Sequence, residues 1–265
     1  MGELDGKIAL VTGASRGIGA YIARLFALEG ATVALTARTT EPGQSPFGGT
    51  IFETTELIER AGGKAVPFAA DLNRPEDRER LVAEVQEQVG HPDILVNNAA
   101  VTFLLDMATF PRRRYDLMFE VLVATPVDLS QRTLPAMRER GAGWILNISS
   151  GASRHPQGPP FQPPRGFTTY GMCKAALERL TTGLAAELYP DGIAVNSLGP
   201  AALVLTEATR YHRLDEGLPE SAFEAPEVMA EAALALCSGD PRELTGRISY
   251  SQPLLDELGR TVRSL

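Results

Sequence analysis

The chain has 265 residues and a mass of 28.4 kDa, and its 44% hydrophobic and 22% charged residues are typical of a globular protein. This composition excludes disorder as the main state, and the length suits a single large α/β domain. The 25 basic and 33 acidic residues give a net charge of −8, which argues against non-specific nucleic-acid binding and against binding to anionic membranes.

In chain order, short β-branched runs alternate with longer helical patterns. The sequence predicts strands at residues 7–12, 31–37, 64–69, 93–97, 144–149, 193–197 and 247–251. It predicts helices at 18–29, 54–60, 75–89, about 112–140 with an interruption at Pro126, 170–188 and 226–237. Such alternation predicts βαβ units, and therefore a parallel sheet with helices on both faces.

Three segments break this alternation: residues 39–50, residues 154–167 with five prolines, and residues 201–225. None has the length or composition of a domain linker, so we interpret residues 1–265 as one domain with long loops. Long loops in compact folds often form lids over functional sites.

The N-terminal segment contains only a short apolar run, residues 8–11, which predicts neither a signal peptide nor a transmembrane helix. The two cysteines, Cys173 and Cys237, cannot form a disulfide framework, and they are typical of a reducing compartment. Histidines and cysteines are too scattered for a zinc site. We therefore expect a cytoplasmic protein without a bound metal.

A glycine-rich turn joins the first predicted strand to the first predicted helix, with Gly13, Gly17 and Gly19 in the run TGASRGIG. Glycines let the backbone approach a diphosphate closely, and the helix N-terminus offers free N–H groups and a partial positive charge. An isolated turn of this kind would be an ordinary strand–helix connection. Its place between the first strand and first helix of a βαβ series predicts a dinucleotide-binding site.

The end of the second predicted strand indicates which dinucleotide binds. An NAD site usually has an acidic residue about 20 residues beyond the glycines, whereas this chain has Ala37 followed by Arg38. An arginine there can pair with a 2′-phosphate, and Arg16 in the glycine-rich turn can add a second positive contact. The sequence therefore favours NADP(H), with NAD(H) as the alternative.

Five further motifs, together with this turn, resemble those of the short-chain dehydrogenase/reductase family over nearly the whole chain. TGASRGIG matches the family's TGxxxGxG motif, Asp71-Leu72 its adenine-contacting acid, and residues 97–100 (NNAA) its NNAG element. Ser150 matches the catalytic serine, YGMCK at 170–174 matches YxxxK, and residues 196–200 (NSLGP) resemble the segment that closes over the nicotinamide.

The resemblance implies a Rossmann-like, doubly wound parallel sheet of about seven strands, with helices on both faces. It implies a catalytic set of Ser150, Tyr170 and Lys174. The cofactor-binding residues that it implies, together with the two arginines, are Gly13, Ser15, Arg16, Gly17, Ile18, Gly19, Arg38, Asp71, Leu72, Asn98, Ala99, Tyr170, Lys174 and Pro200.

The expected chemistry is hydride transfer between the nicotinamide and a carbonyl or secondary alcohol. Tyr170 and Lys174 are four residues apart and share one helix face, where the lysine charge and an oxidised nicotinamide would favour the phenolate. Tyr170 is then the general acid in reduction and the general base in oxidation. Ser150 would hydrogen-bond the substrate oxygen, with Ser149 as the rival, and Lys174 would also bind the ribose hydroxyls.

One position departs from the family pattern. Many members have an asparagine in the long fourth helix, where this chain has Leu122. In the family that residue helps to hold a water beside the lysine. Pro126 lacks an N–H, so the carbonyl of Leu122 loses its usual helical partner and could still hold such a water. The alternative is an NADP(H)-binding protein of low or lost activity.

The loops supply the expected substrate cleft, formed by residues 151–169 and 201–225. The first is longer than is typical in the family, and both carry aromatic and polar groups. The candidate pocket residues are His155, Phe161, Phe167 and His212. They suggest a fairly apolar small-molecule substrate with one carbonyl or secondary alcohol. The resemblance further implies a homotetramer or dimer built through the fourth and fifth helices.

Overall fold

Seven parallel strands form the central sheet of the computed structural model, which describes residues 2–161 and 166–265. The described residues form these seven strands and two further short ones. In chain order, all of them are β1 (Ile8–Thr12), β2 (Thr32–Ala37), β3 (Lys64–Ala69), β4 (Ile94–Asn97), β5 (Gly143–Ile148), β6 (Ile193–Gly199), β7 (Leu203–Val204), β8 (Phe223–Glu224) and β9 (Ile248–Tyr250). The sheet order is β3-β2-β1-β4-β5-β6-β9, and β7 and β8 pair separately. The predicted α/β sheet of about seven strands is confirmed.

Helices cover both faces of this sheet. They are α1 (Gly17–Leu28), α2 (Ile51–Arg60), α3 (Pro75–Gln88), α4 (Arg112–Phe119), α5 (Thr125–Arg140), α6 (Thr168–Leu188), α7 (Glu207–Tyr211), α8 (Pro226–Cys237) and α9 (Ser251–Leu258). Successive residues of a strand point to opposite faces. In β1, Ala9 and Val11 pack into the core formed with α1 and α8, while Leu10 packs into the core formed with α3, α5 and α6. Continuous apolar strands are therefore required.

The strand order places a binding edge between β1 and β4. From β1 the chain runs outward through β2 and β3, and then crosses back to β4 on the other side. Connections diverge at this point, which leaves a crevice at the carboxyl ends of the two strands where open α/β sheets bind ligands. The glycine-rich turn after β1 and the Asn98 segment after β4 both lie here.

Some predicted boundaries differ from the structure. α2 begins three residues earlier than predicted because Thr50 and Glu53 form a reciprocal capping box. The predicted interruption at Pro126 is misplaced: a π-helical turn at Glu120–Ala124 precedes the proline, which lies in the first turn of α5. Because the π-helical turn runs directly into α5, the missing N–H of Pro126 leaves the carbonyl of Leu122, four residues earlier, without its usual helical partner.

The sequence prediction also missed several short elements. α7, β7 and β8 all lie within residues 201–225, which were expected to be loop, and α9 follows the last strand. These elements are too short to show a clear hydrophobic period. Pro163 and Pro164 of the proline-rich loop lie outside the described residues.

Within the described ranges, the structure contains no helix that is both long and apolar enough to cross a membrane. The same residues contain no group of three or more histidine, cysteine or acidic side chains placed to hold a metal ion. Cys173 and Cys237 are both free and buried.

Candidate active site

The glycine-rich turn is held against the end of β4 by side-chain hydrogen bonds. The amide of Asn98 donates to the carbonyls of Thr12 (2.8 Å) and Gly13 (3.1 Å). The Thr12 hydroxyl accepts the backbone N–H groups of Asn98 (2.9 Å) and Ala99 (3.0 Å). Asn98 and Ala99 therefore lie beside the turn as expected, but the Asn98 side chain is committed to shaping it.

Two glycines of the turn occupy places where a side chain would not fit. Gly13 has a φ of +66°, and a Cβ there would lie 2.8 Å from the Cα of Ala99. A Cβ at Gly19 would lie 2.5 Å from the carbonyl oxygen of Gly13. These contacts bring the first turn of α1 close to β1 and β4. Ser15 is buried in the turn, and Ile18 packs against the core beneath it.

The two arginines of the predicted phosphate site are placed differently. Arg16 donates to the carbonyls of Gly48 and Gly49 and to the Thr39 hydroxyl, so the loop 39–50 wraps around it. Burial lowers the pKa of Arg16. Arg38 is 65% exposed, and its guanidinium lies 4.0 Å from the carboxylate of Asp71. Arg38 is thus the more available cation for a phosphate.

Residues 201–225, which we call the lid, fold over the glycine-rich turn. The Tyr211 ring packs edge-on against Phe47 of the loop 39–50, with 5.1 Å between ring centroids. A Cβ at Gly17 would lie 3.3 Å from the Thr206 methyl and 3.9 Å from Glu207 Oε2. Within the part of the chain that the structure describes, this carboxylate oxygen is buried without a hydrogen-bond partner. The lid thus places an unsatisfied anionic atom beside the start of α1.

The remaining predicted cofactor residues lie around the same edge. Leu72 is buried after β3, and its backbone carbonyl accepts hydrogen bonds from Arg78 (2.8 Å) and Thr125 (2.9 Å). Pro200 follows β6, and the next N–H, of Ala201, donates to the Ser251 hydroxyl (2.9 Å). The backbone on both sides of the cleft is therefore fixed by side chains from neighbouring helices.

The serine that follows β5 meets the tyrosine near the start of α6. The hydroxyls of Ser150 and Thr102 lie close enough to the Tyr170 phenol oxygen to stabilise a phenolate. Burial nevertheless raises the pKa of Tyr170, because the surroundings disfavour its charged form. Thr102 was not predicted, since nothing in its local sequence marks it.

The two candidate serines face different partners. The Ser149 hydroxyl donates to Glu178 Oε1 at 2.7 Å and is buried, whereas Ser150 lies beside Tyr170. Glu178 was also not predicted, although it lies one helical turn beyond Lys174, on the same face of α6. This spacing was the available signal.

Lys174 is almost completely buried between α6 and β5. Its ammonium donates to the carbonyl of Ile148 (2.6 Å) and lies 5.8 Å from the centroid of the Tyr170 ring. Burial lowers the pKa of Lys174 to about 8, and the carboxylate of Glu178 acts in the opposite direction. The ammonium therefore lies close to the tyrosine ring.

Leu122 lies in the π-helical turn, beneath the tyrosine. It is 1% exposed in an apolar cluster with Met118 and Cys173, against which Tyr170 and Phe103 pack. π-helical turns often occur at functional sites. Helix α4–α5 is thus interrupted beside the tyrosine even though the side chain here is leucine.

The predicted substrate-pocket residues do not form one cluster. The Phe167 ring packs edge-on against Tyr170, with 6.4 Å between centroids. His155 and Phe161 are exposed on their loop. His212 follows α7 and packs on Tyr211, so it belongs to the lid near the glycine-rich turn. Of the four candidates, the structure brings only Phe167 to the tyrosine.

The fold and this site define a class of protein: a dinucleotide-binding α/β domain with a serine, tyrosine and lysine beside the cofactor crevice. The short chain dehydrogenase family model matches residues 7–217. The chain belongs to the short-chain dehydrogenase/reductase family of NAD(P)-binding oxidoreductases.

Individual relatives agree with this membership. The chain is 33% identical to human "Dehydrogenase/reductase SDR family member 4" over 252 residues, which cover 92% of this chain and 85% of that protein. It is 32% identical over 258 residues to "Hydroxysteroid dehydrogenase-like protein 2" of Rattus norvegicus, covering 97% of this chain but 47% of that longer protein.

Solved structures share the fold over nearly the full length. A short chain dehydrogenase from Mycobacterium thermoresistibile has a TM-score of 0.84 and 33% identity, covering 97% of this chain and 88% of its own. A metagenomic short-chain oxidoreductase in complex with NADP has a TM-score of 0.76 and 28% identity, covering 94% and 99%.

Proposed function

We propose that the protein is an NADP(H)-dependent oxidoreductase that interconverts a carbonyl and a secondary alcohol on a small, fairly apolar molecule. The observation that carries this proposal is the placement of Tyr170, whose ring centroid lies 5.8 Å from the buried Lys174 ammonium, with the Ser150 hydroxyl near the phenol. These three groups stand at the same edge of the sheet as the glycine-rich turn.

Each residue then has a defined role. When bound, the nicotinamide supplies or accepts the hydride at the substrate carbon. The Ser150 hydroxyl hydrogen-bonds the substrate oxygen and holds it beside Tyr170. Tyr170 gives its phenol proton to that oxygen in reduction, and takes the hydroxyl proton in oxidation. The Lys174 ammonium stabilises the phenolate that remains, and it is also our candidate for binding the ribose hydroxyls.

The raised pKa of Tyr170 disfavours the oxidative direction in the protein alone, because oxidation needs the phenolate. Burial keeps the phenol protonated in the protein alone, and the protonated phenol is the form that a carbonyl reduction consumes. Oxidation needs the phenolate, which has to be stabilised by Lys174 and by a positively charged, oxidised nicotinamide. We therefore expect oxidation to require higher pH than reduction.

The residues at the β1–β4 crevice fit a dinucleotide. Gly13 and Gly19 leave backbone exposed where a Cβ would intrude, and the N-terminus of α1 favours a diphosphate. The exposed guanidinium of Arg38 suits a 2′-phosphate. Glu207 does not suit a neighbouring diphosphate because like charges repel, so its carboxylate has to turn away when the cofactor binds.

Assays with a panel of ketones, aldehydes and secondary alcohols test this proposal, with NADPH or NADP⁺ compared against NADH or NAD⁺. We expect turnover of at least one apolar member and a preference for the phosphorylated cofactor. Measuring NADPH binding by fluorescence in parallel separates binding from turnover. A clear preference for NADH would contradict the role of Arg38.

The substitution Arg38→Ala tests the cofactor preference directly. Hydrogen bonds to charged groups contribute about 1.5–3 kcal/mol, so the Kd for NADPH should rise about 10- to 100-fold. The Kd for NADH should stay within about twofold, since NADH has no 2′-phosphate. Arg60→Ala is the matched control, because Arg60 is exposed on α2 and pairs with Glu56. Equal loss of both cofactors would reject a phosphate-specific role.

Leu122 supports a second candidate function, an NADP(H)-binding protein of low or lost activity. The asparagine that would help to hold a proton-relay water beside Lys174 is replaced by leucine at this position, and an apolar cluster surrounds the leucine. In our main proposal the carbonyl of Leu122 still holds the relay water, because Pro126 has no N–H to occupy it. A panel in which NADPH binds tightly but no compound is turned over would favour the second function.

The substitution Leu122→Asn discriminates between the two. It buries an amide among apolar side chains, so we expect stability to fall by about 1–3 kcal/mol without a gain in turnover. Thermal unfolding and kcat, measured on one preparation, check this. Leu122→Met preserves the apolar contact and is the control. A large gain in kcat for Leu122→Asn would show that the native relay is impaired.

We also propose a homo-oligomer, a dimer or tetramer, built through helices α4–α5 and α6. Phe119 on α4 and Met172 on α6 are large apolar side chains that are 40% and 42% exposed. Burying such side chains between copies would remove apolar surface from water.

A further inference from the structure

The turn that carries Ser150 is clamped against α6 at both ends. A short 3₁₀ turn, Gly151–Ser153, follows Ser150 and packs on the first half of α6. Near the start of α6, a Cβ added to Gly171 would collide with the carbonyl oxygen of Ala152, so the helix and the turn are in close backbone contact. About two helical turns further along α6 stands the carboxylate of Glu178, which contacts both ends of the turn.

Glu178 holds the serines on either side of this turn. Its Oε1 accepts the Ser149 hydroxyl at 2.7 Å and the Ser153 hydroxyl at 2.6 Å. Hydrogen bonds to a carboxylate are stronger than those between neutral groups. Both serines are largely buried, at 5% and 8% exposure, so few competing water contacts are available to them.

The Ser150 side chain has little local support of its own. Its hydroxyl accepts the N–H of Ala152 at 3.2 Å, and its backbone carbonyl is within 2.7 Å of the Ser153 hydroxyl. Its direction therefore depends on residues 149 and 153, which share the Glu178 carboxylate as an acceptor. The single proton of the Ser153 hydroxyl can go either to Glu178 or to the Ser150 carbonyl. Without the carboxylate, the Ser149 hydroxyl would lose its partner, Ser153 would keep only the bond to Ser150, and the turn could rotate.

We propose that Glu178 is a positioning residue for Ser150: by binding Ser149 and Ser153, it aims the Ser150 hydroxyl at Tyr170. This inference rests on the proposed oxidoreductase function. Glu178 touches neither substrate nor cofactor in this scheme, and acts through the turn. Lys174, one helical turn earlier, shares the same helix face, so the residues at positions 170, 174 and 178 form one functional stripe.

The test compares Glu178→Ala with Glu178→Gln. The alanine removes both hydrogen bonds, and a displacement of about 1 Å in a reacting group can lower the rate about 100-fold. We expect kcat to fall about 10- to 100-fold in Glu178→Ala, with the Kd for NADPH within about twofold of the wild type. The glutamine keeps an oxygen acceptor, so it should recover most of kcat.

Thr181→Val is the matched control. Its hydroxyl accepts the Asn147 amide at 2.9 Å and so also links α6 to β5, but it does not touch the turn after Ser150. This variant should lose stability similarly while keeping kcat. If Glu178→Ala does not fold, the double variant Ser149→Ala, Ser153→Ala removes the same two hydrogen bonds from the other side and should show the same loss.

Crystal structures of the wild type and the Glu178 variants give a readout that is independent of turnover. We expect the distance from Ser150 Oγ to Tyr170 Oη to lengthen in Glu178→Ala and to be restored in Glu178→Gln. An unchanged distance, an unchanged kcat in a folded alanine variant, or a glutamine as inactive as the alanine would each overturn the proposal. Absence of turnover in the wild type would instead refute the proposed function, while the crystallographic comparison would still test Glu178.

Discussion

Tyr170→Phe should lower kcat/KM for carbonyl reduction by about 1,000-fold while leaving NADPH binding within about twofold. The phenol is the only proton donor in our scheme, and general acid–base groups contribute about 10²- to 10⁴-fold. The ring remains, so its contacts with Phe167 and the apolar cluster around Leu122 are preserved. Steady-state kinetics and NADPH fluorescence titration measure the two effects separately.

Tyr115→Phe is the control for this substitution. Tyr115 lies on α4, stacked on Phe119 with 6.2 Å between ring centroids, and has no role in the proposed chemistry. Its loss of a hydroxyl should leave kcat/KM unchanged. If Tyr170→Phe retained more than about a tenth of the wild-type rate, another group would have to supply the proton, and the assignment of Tyr170 would be wrong.

Lys174→Met should abolish efficient turnover and at the same time stabilise the protein at neutral pH. Burial lowers the pKa of Lys174 to about 8 from the ordinary 10.5, and this difference corresponds to about 3 kcal/mol of destabilisation at pH 7. Losing the hydrogen bond from the charged ammonium to the Ile148 carbonyl offsets about 2 kcal/mol of that gain. We expect a net gain of about 1 kcal/mol, measured by chemical denaturation.

The sign of the pH dependence makes this prediction specific. Between pH 8 and 10.5 the unfolded chain keeps the lysine proton that the folded protein has released. The unfolded state therefore binds more protons, and wild-type stability rises with pH relative to the variant. The advantage of Lys174→Met should shrink across this range. Lys64→Met, at an exposed position on β3, is the control for the loss of a lysine side chain. A constant advantage would contradict a titrating, buried Lys174.

Stabilisation by removing Lys174 would have a clear physical meaning. A charged ammonium is kept inside the protein at a cost in folding free energy, as is common where function requires a buried charge. The carbonyl of Ile148 and the carboxylate of Glu178 reduce that cost without cancelling it.

Much of the fold could be predicted from the sequence because its signals are local. Continuous apolar runs predict buried parallel strands, and each strand alternates between the two cores that the structure contains. The glycines at 13 and 19 mark close backbone approaches that a side chain would block. Short elements such as α7 escaped prediction because five residues cannot display a helical period.

The site was harder to predict because its geometry depends on distant parts of the chain. Arg16 and Arg38 are equivalent cations in sequence, yet Arg16 is held by carbonyls more than 30 residues away while Arg38 remains exposed. His155 and Phe161 belong to the right loop, but they are exposed on it rather than packed against Tyr170. Proximity in sequence does not determine which side chains of a loop turn inward.

By itself, the sequence determined the family, the parallel sheet, the glycine-rich turn and the shared helix face of Tyr170 and Lys174. Each follows from short-range spacing or from the chemistry of single residues. Only the tertiary structure decided that Ser149 turns to Glu178 while Ser150 turns to Tyr170. Adjacent serines after a strand are locally alike, and their directions are set by hydrogen bonds to α6, which begins 18 residues beyond Ser150.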